Sequence, residues 1–175
     1  APASMTKMMS MYLILEAINN GSMQWDEVIR VSEHAASLGG SQIYLKPGEE
    51  MQVRDLFKSI AIASANDAVT ALAERVAGTE EAFVEKMNAK AKELGMNDTV
   101  FKNPTGLTEE GHLTTPYDMS IIGRHLVQDY PEIIEFSGLY EDYIRQDTES
   151  PFWLVNTNKL LKYVDGVDGL SLIHI

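Results

Sequence analysis

Apolar residues recur at helical spacing from the start of the chain. Met5, Met8, Met9, Tyr12, Leu13, Ala17 and Ile18 mark one face of a helix that stops at Asn19-Asn20-Gly21. Met11, Ile14 and Leu15 fill much of the other side, so this helix is predicted to be buried nearly all round. A short strand is expected over 28–31. Ile43-Tyr44-Leu45 and Met51-Gln52-Val53 flank Pro47-Gly48 and read as a hairpin. Helical patterns follow over 53–63, with Leu56, Phe57 and Ile60 inward, and over 66–76, stopped by Gly78. Thr79 caps a helix over 80–94 that Gly95 closes. Asn103-Pro104-Thr105-Gly106 reads as a loop. Thr115 caps a helix that starts at Pro116, and Pro131 opens a short one. From Leu139 onward the pattern is strand and loop. With no repeats or linkers, the reading is one helix-rich α+β unit.

Composition narrows the function. A chain of 175 residues is one domain or a large piece of one. Its net charge of −12 repels phosphate backbones and anionic lipid, which argues against nucleic-acid binding. The absence of cysteine excludes disulfides, Cys-zinc sites and thiol catalysis. His34, His112, His125 and His174 lack metal-ligand spacing, so no metal and no cofactor is assigned. The methionines read as core filler, and Glu80, Glu81, Glu85 and Lys86 as a solvated helix face. No apolar run is long enough to span a membrane. The chain opens at Ala1-Pro2-Ala3, almost on top of its candidate nucleophile, so a leader and further strands are expected to precede it.

That nucleophile is Ser4, in Ser4-Met5-Thr6-Lys7. Residues at i and i+3 share a helix face, so a Lys7 amine on the first turn can reach the Ser4 oxygen. This is the arrangement a serine needs when lysine takes its proton. A second element, Ser64-Ala65-Asn66, falls in the break between two predicted helices. Asn66 reads there either as a cap of the following helix or as a side chain directed at substrate and lysine. Ser64 reads as a proton relay. Asp67 is expected to offset the helix dipole.

S-x-x-K followed by S-x-N is a signature of penicillin-binding proteins and class A β-lactamases. The wording around it resembles the low-molecular-mass D-alanyl-D-alanine carboxypeptidases. Pro2-Ala3-Ser4-Met5-Thr6-Lys7-Met8-Met9, Ser64-Ala65-Asn66-Asp67-Ala68, Phe83-Val84-Glu85-Lys86-Met87-Asn88, Asn103-Pro104-Thr105-Gly106-Leu107 and Val167-Asp168-Gly169-Leu170 carry that resemblance. It implies the helix-rich portion of the β-lactamase/transpeptidase-like fold. It also implies an acyl-enzyme on Ser4, formed with peptidoglycan stem peptides ending in D-Ala-D-Ala or with β-lactams. Lys7 would be the base, Ser64 the relay and Asn66 the substrate contact. Relatives place the region of Trp153 and Asn156-Thr157-Asn158 near the cleft. They are secreted to the bacterial envelope and held to the membrane by a C-terminal helix that is absent here.

Two features depart from that pattern. The Lys-Thr-Gly element expected after Leu170 is replaced by Ser171-Leu172-Ile173-His174-Ile175. Residues 1–170 therefore read as a partial catalytic domain and 171–175 as a tail foreign to the family. Most of the central antiparallel sheet is expected to be missing, which would leave apolar surface open and the chain poorly folded or inactive. A class A-like β-lactamase is disfavoured by the absence of a Glu-x-x-Leu-Asn phrase and by Ala65 where Asp is usual. A non-catalytic wall-binding module is the alternative that the missing third element favours.

Overall fold

The structure is a computed structural model and describes residues 5–163. The first helix, α1 (Thr6–Asn19), carries almost no amphipathic bias: residues from Thr6 to Leu15 are buried on every side. Four helices enclose it: α3 (Val53–Ala63), α4 (Asn66–Ala77), α5 (Glu80–Glu93) and α6 (Pro116–Asp129). Each fully buried Leu or Ile on such a helix contributes about 1.5–3 kcal/mol, so this packing dominates the core. Its polar residues must then find partners inside the protein. Every methionine except half-buried Met5 lies in the core, as core filler should.

The remaining helices are short: α2 (Glu33–Ala36), capped by Ser32, and α7 (Ile133–Ser137). The sequence pattern did not resolve α2. The helix opened by Pro131 begins two residues later than the proline. Thr79 and Thr115 cap α5 and α6 as their positions predict, accepting from Ala82 N–H and Asp118 N–H. Glu81, Glu85 and Lys86 are solvated, whereas Glu80 is half-buried and paired with His34.

Two antiparallel strand pairs flank the helices. Strand β1 (Val28–Arg30) pairs with β2 (Glu50–Gln52), placing Ile29 opposite Met51. Strand β3 (Glu141–Ile144) pairs with β4 (Phe152–Val155), placing Tyr143 opposite Trp153. A 3-10 turn, Lys159–Lys162, follows.

The predicted hairpin between 43–45 and 51–53 is a correction. Residues 43–45 form no strand, and β2 takes β1 as its partner instead. The cause is Asp67, fully buried in the first turn of α4. Its carboxylate accepts Ile43 N–H at 3.1 and 3.2 Å and Leu45 N–H at 3.0 Å. Those backbone donors are taken up by a side chain, so they cannot form a strand ladder. Beyond its favourable place at a helix N-terminus, Asp67 pins a distant loop onto α4.

Candidate active site

Lys7 sits in the first turn of α1 and is 3% exposed. Its Nζ donates to the Thr105 carbonyl at 3.0 Å. Burial strips water from the ammonium form and lowers the pKa from 10.5 to about 8. An amine held there is partly neutral near physiological pH and able to accept a proton.

The loop that receives Lys7 is held by its own side chains. Asn103 Oδ1 accepts Gly106 N–H at 2.8 Å and the Thr105 hydroxyl at 3.0 Å. Asn103 Nδ2 donates to the Leu107 carbonyl at 2.9 Å and to Glu109 at 3.0 Å. Ser10, one turn along α1 from Lys7, donates to the Pro104 carbonyl at 2.7 Å. Thr6 Oγ1 lies 3.1 Å from Nε2 of His112, which is buried and edge-on to Phe101. Burial pushes the His112 pKa down, which favours a neutral ring.

Ser64 ends α3 in the left-handed conformation, with φ 55° and ψ 39°. A side chain there costs about 1 kcal/mol relative to glycine. Its buried hydroxyl has no hydrogen-bond partner among the described residues. Asn66 does not cap α4: Ala65 occupies the cap position, and Asn66 is the first helical residue. Its backbone N–H donates to the Ser41 carbonyl at 2.7 Å and its Nδ2 to the Gly39 carbonyl at 2.8 Å. Asn66 Oδ1 is buried without a partner among the described residues. Unsatisfied buried polar atoms cost about 1–3 kcal/mol each, a cost that a partner outside the described residues would remove. Gly40 makes the approach possible. A Cβ there would stand 2.8 Å from Asn66 Nδ2, on a backbone with φ +71°.

Lys7, Ser64 and Asn66 are each buried, Lys7 on α1 and the other two at the junction of α3 and α4, helices that both pack against α1. Ser4 falls outside the described residues, as do Val167-Asp168-Gly169-Leu170 and the 171–175 tail. The helix starts at Thr6, with Met5 in helical backbone geometry just before it. Asn156 is committed elsewhere, donating to the Ser137 and Leu139 carbonyls at 2.9 and 2.8 Å. Trp153 is 54% exposed. A separate cavity of about 1150 Å³ lies among residues around β1, β2, β3 and β4 and includes none of Lys7, Ser64 and Asn66.

Reading residue types singled out Lys7, Ser64 and Asn66 but not the backbone partners of Lys7 and Asn66. The Thr105 carbonyl has no letter of its own. Asn103 was read as part of a loop and of a phrase that carries the family resemblance, and Gly39-Gly40 was given no role.

Known proteins share this chain. The D-alanyl-D-alanine carboxypeptidase DacF of Bacillus subtilis is 59% identical over 171 residues, which is 98% of this chain and 44% of the relative. The crystal structure of the D-alanyl-D-alanine carboxypeptidase DacD from Francisella tularensis superposes with a TM-score of 0.89 at 32% identity. That match covers 96% of this chain and 52% of that one. Penicillin-binding protein D2 from Listeria monocytogenes, solved in its cefotaxime-bound form, superposes with a TM-score of 0.81 at 30% identity, covering 95% of this chain and 66% of that one. The chain therefore spans roughly half the length of its relatives, and its helix-rich α+β architecture is a part of their fold. The profile of the D-alanyl-D-alanine carboxypeptidase family, peptidase family S11, matches residues 1–171, and the chain belongs to that family.

Proposed function

We propose that this chain carries the nucleophile and base of a serine D-Ala-D-Ala carboxypeptidase of the bacterial cell envelope. Ser4 Oγ attacks the carbonyl of the penultimate D-alanine, and Lys7 takes the hydroxyl proton. The C–N bond then breaks, and Ser64 relays the proton held by Lys7 to the departing D-alanine amine. Water hydrolyses the resulting ester, returning the Ser4 hydroxyl and releasing the shortened stem peptide. Asn66 binds substrate through Oδ1, which has no partner among the described residues. β-Lactams acylate the same serine, in keeping with the cefotaxime-bound form of the Listeria relative.

The observation that carries this reading is the buried Lys7 amine, lowered to about 8, on a helix that packs against α3 and α4, whose junction holds two buried polar atoms without a partner among the described residues. A lysine kept only for structure would gain from an ion pair, and among the described residues Lys7 has a backbone carbonyl as its partner while burial lowers its pKa.

The test is release of free D-alanine from an acyl-D-Ala-D-Ala peptide. It is run on the chain as it stands and on the chain with residues 171–175 replaced by the Lys-Thr-Gly continuation of the family. Release that requires both the continuation and Ser4 supports the reading. Peptide binding without release by the continued chain contradicts it and leaves the wall-binding module. Hydrolysis of penicillin with no D-alanine release points instead to a β-lactamase.

A further inference from the structure

Lys7 is held by a backbone carbonyl, and a backbone carbonyl is only as fixed as the loop that presents it. Thr105 is 98 positions from Lys7 in sequence, and its carbonyl faces the amine at 3.0 Å. Pro104, one residue earlier, directs its carbonyl to Ser10, which shares a face of α1 with Lys7. Two successive carbonyls thus dock on two successive turns of one helix.

We propose that Asn103 is a positioning residue for the Lys7 amine. Its side chain knots the 103–107 turn so that the Thr105 carbonyl stands over Nζ. Asn103 uses both ends of its amide inside the turn, accepting from Gly106 N–H and the Thr105 hydroxyl and donating to the Leu107 carbonyl. The Thr105 hydroxyl also accepts Leu107 N–H at 3.2 Å, which closes the knot from the other side. Without Asn103 these groups lose their partners, and nothing local holds the Thr105 carbonyl inward.

Other charged or titratable groups nearby are already engaged. Glu109 meets Asn103 Nδ2, His112 meets Thr6, and Asp67 on α4 binds the 43–45 backbone. The turn therefore does two things to Lys7: it supplies an acceptor for the amine and it covers the amine against water. Removing it exposes Nζ, and the hydration gained by the ammonium outweighs the loss of one carbonyl acceptor, so the amine moves toward its ordinary proton affinity.

The inference rests on Lys7 as the base, yet Lys7 can be followed without turnover. The chain is labelled with 13C-lysine, and the Lys7 side-chain resonance, assigned with Lys7→Met, is titrated by NMR. Asn103→Ala is expected to raise the midpoint from near 8 by about one pH unit, a tenfold change in proton affinity. Asn88→Ala is the structural control. It cuts the bonds that Asn88 makes to the Phe101 backbone just upstream and leaves the knot intact. Its midpoint should stay at the native value. An unmoved midpoint in folded Asn103→Ala, or an equal rise in Asn88→Ala, overturns the proposal. Should Asn103→Ala not fold, Ser10→Ala cuts the second tie at Pro104 and is judged by the same criterion. Penicillin acylation is measured in parallel. A displaced midpoint with no acylation in the chain carrying the Lys-Thr-Gly continuation contradicts the proposed function but not the clamp. Normal acylation with an unmoved midpoint does the reverse.

Discussion

Replacing Lys7 by Met should make the protein more stable near neutral pH and remove a specific pH dependence. The folded protein holds the Lys7 amine at about 8 against an ordinary 10.5. That difference corresponds to about 3 kcal/mol of destabilisation while the ammonium is buried. The sign follows from proton counting. Between about 8 and 10.5 the unfolded chain holds a proton on Lys7 that the folded chain has released, so folding stability rises with pH across this window. From pH 7 to pH 10 the native protein should gain about 2–3 kcal/mol relative to Lys7→Met.

Tyr12 acts in the opposite direction. Its burial and its bond to Asp129 raise its pKa, so its contribution is present below its unfolded value near 10 and is lost above it. Both proteins keep Tyr12, so the difference between them isolates Lys7. Urea unfolding at pH 7, 8, 9 and 10 on both proteins is the assay. A stability difference that stays constant across those four values would refute the claim that Lys7 is buried as an amine near 8.

Two further substitutions test the surroundings. Ser64→Gly should relieve the left-handed strain at φ 55° and raise stability by about 1 kcal/mol in urea, while slowing acylation by penicillin at least about tenfold. Asp67→Ala should cost about 3 kcal/mol by stranding the buried Ile43 and Leu45 amides, and hydrogen exchange at those two amides should accelerate more than at α5.

The helices were legible in the sequence because their signals are local. Thr79, Thr115 and Pro116 announce helix starts, and the apolar residues of α1 leave no polar stripe. The 43–45 segment was misread because its pairing is decided by a carboxylate more than twenty positions away, which no local pattern carries. Asn66 was left between two roles, and the position of Ala65 at the cap removes the capping one. The apolar surface expected to lie open does not include α1, which its helical neighbours enclose. What the sequence could not convey was the second layer of the site. The Thr105 carbonyl, the Asn103 knot and the close passage of Gly40 are backbone geometry, and residue types encode that geometry only through contacts made at a distance.

Activation of Ser4 by Lys7 is read from the intact mass of the protein after incubation with benzylpenicillin. The account predicts one covalent penicilloyl adduct, mapped to Ser4 by peptide digestion and absent from both Ser4→Ala and Lys7→Met, in the chain carrying the Lys-Thr-Gly continuation. An adduct on any other residue, or a folded, continued chain that forms none, would contradict it.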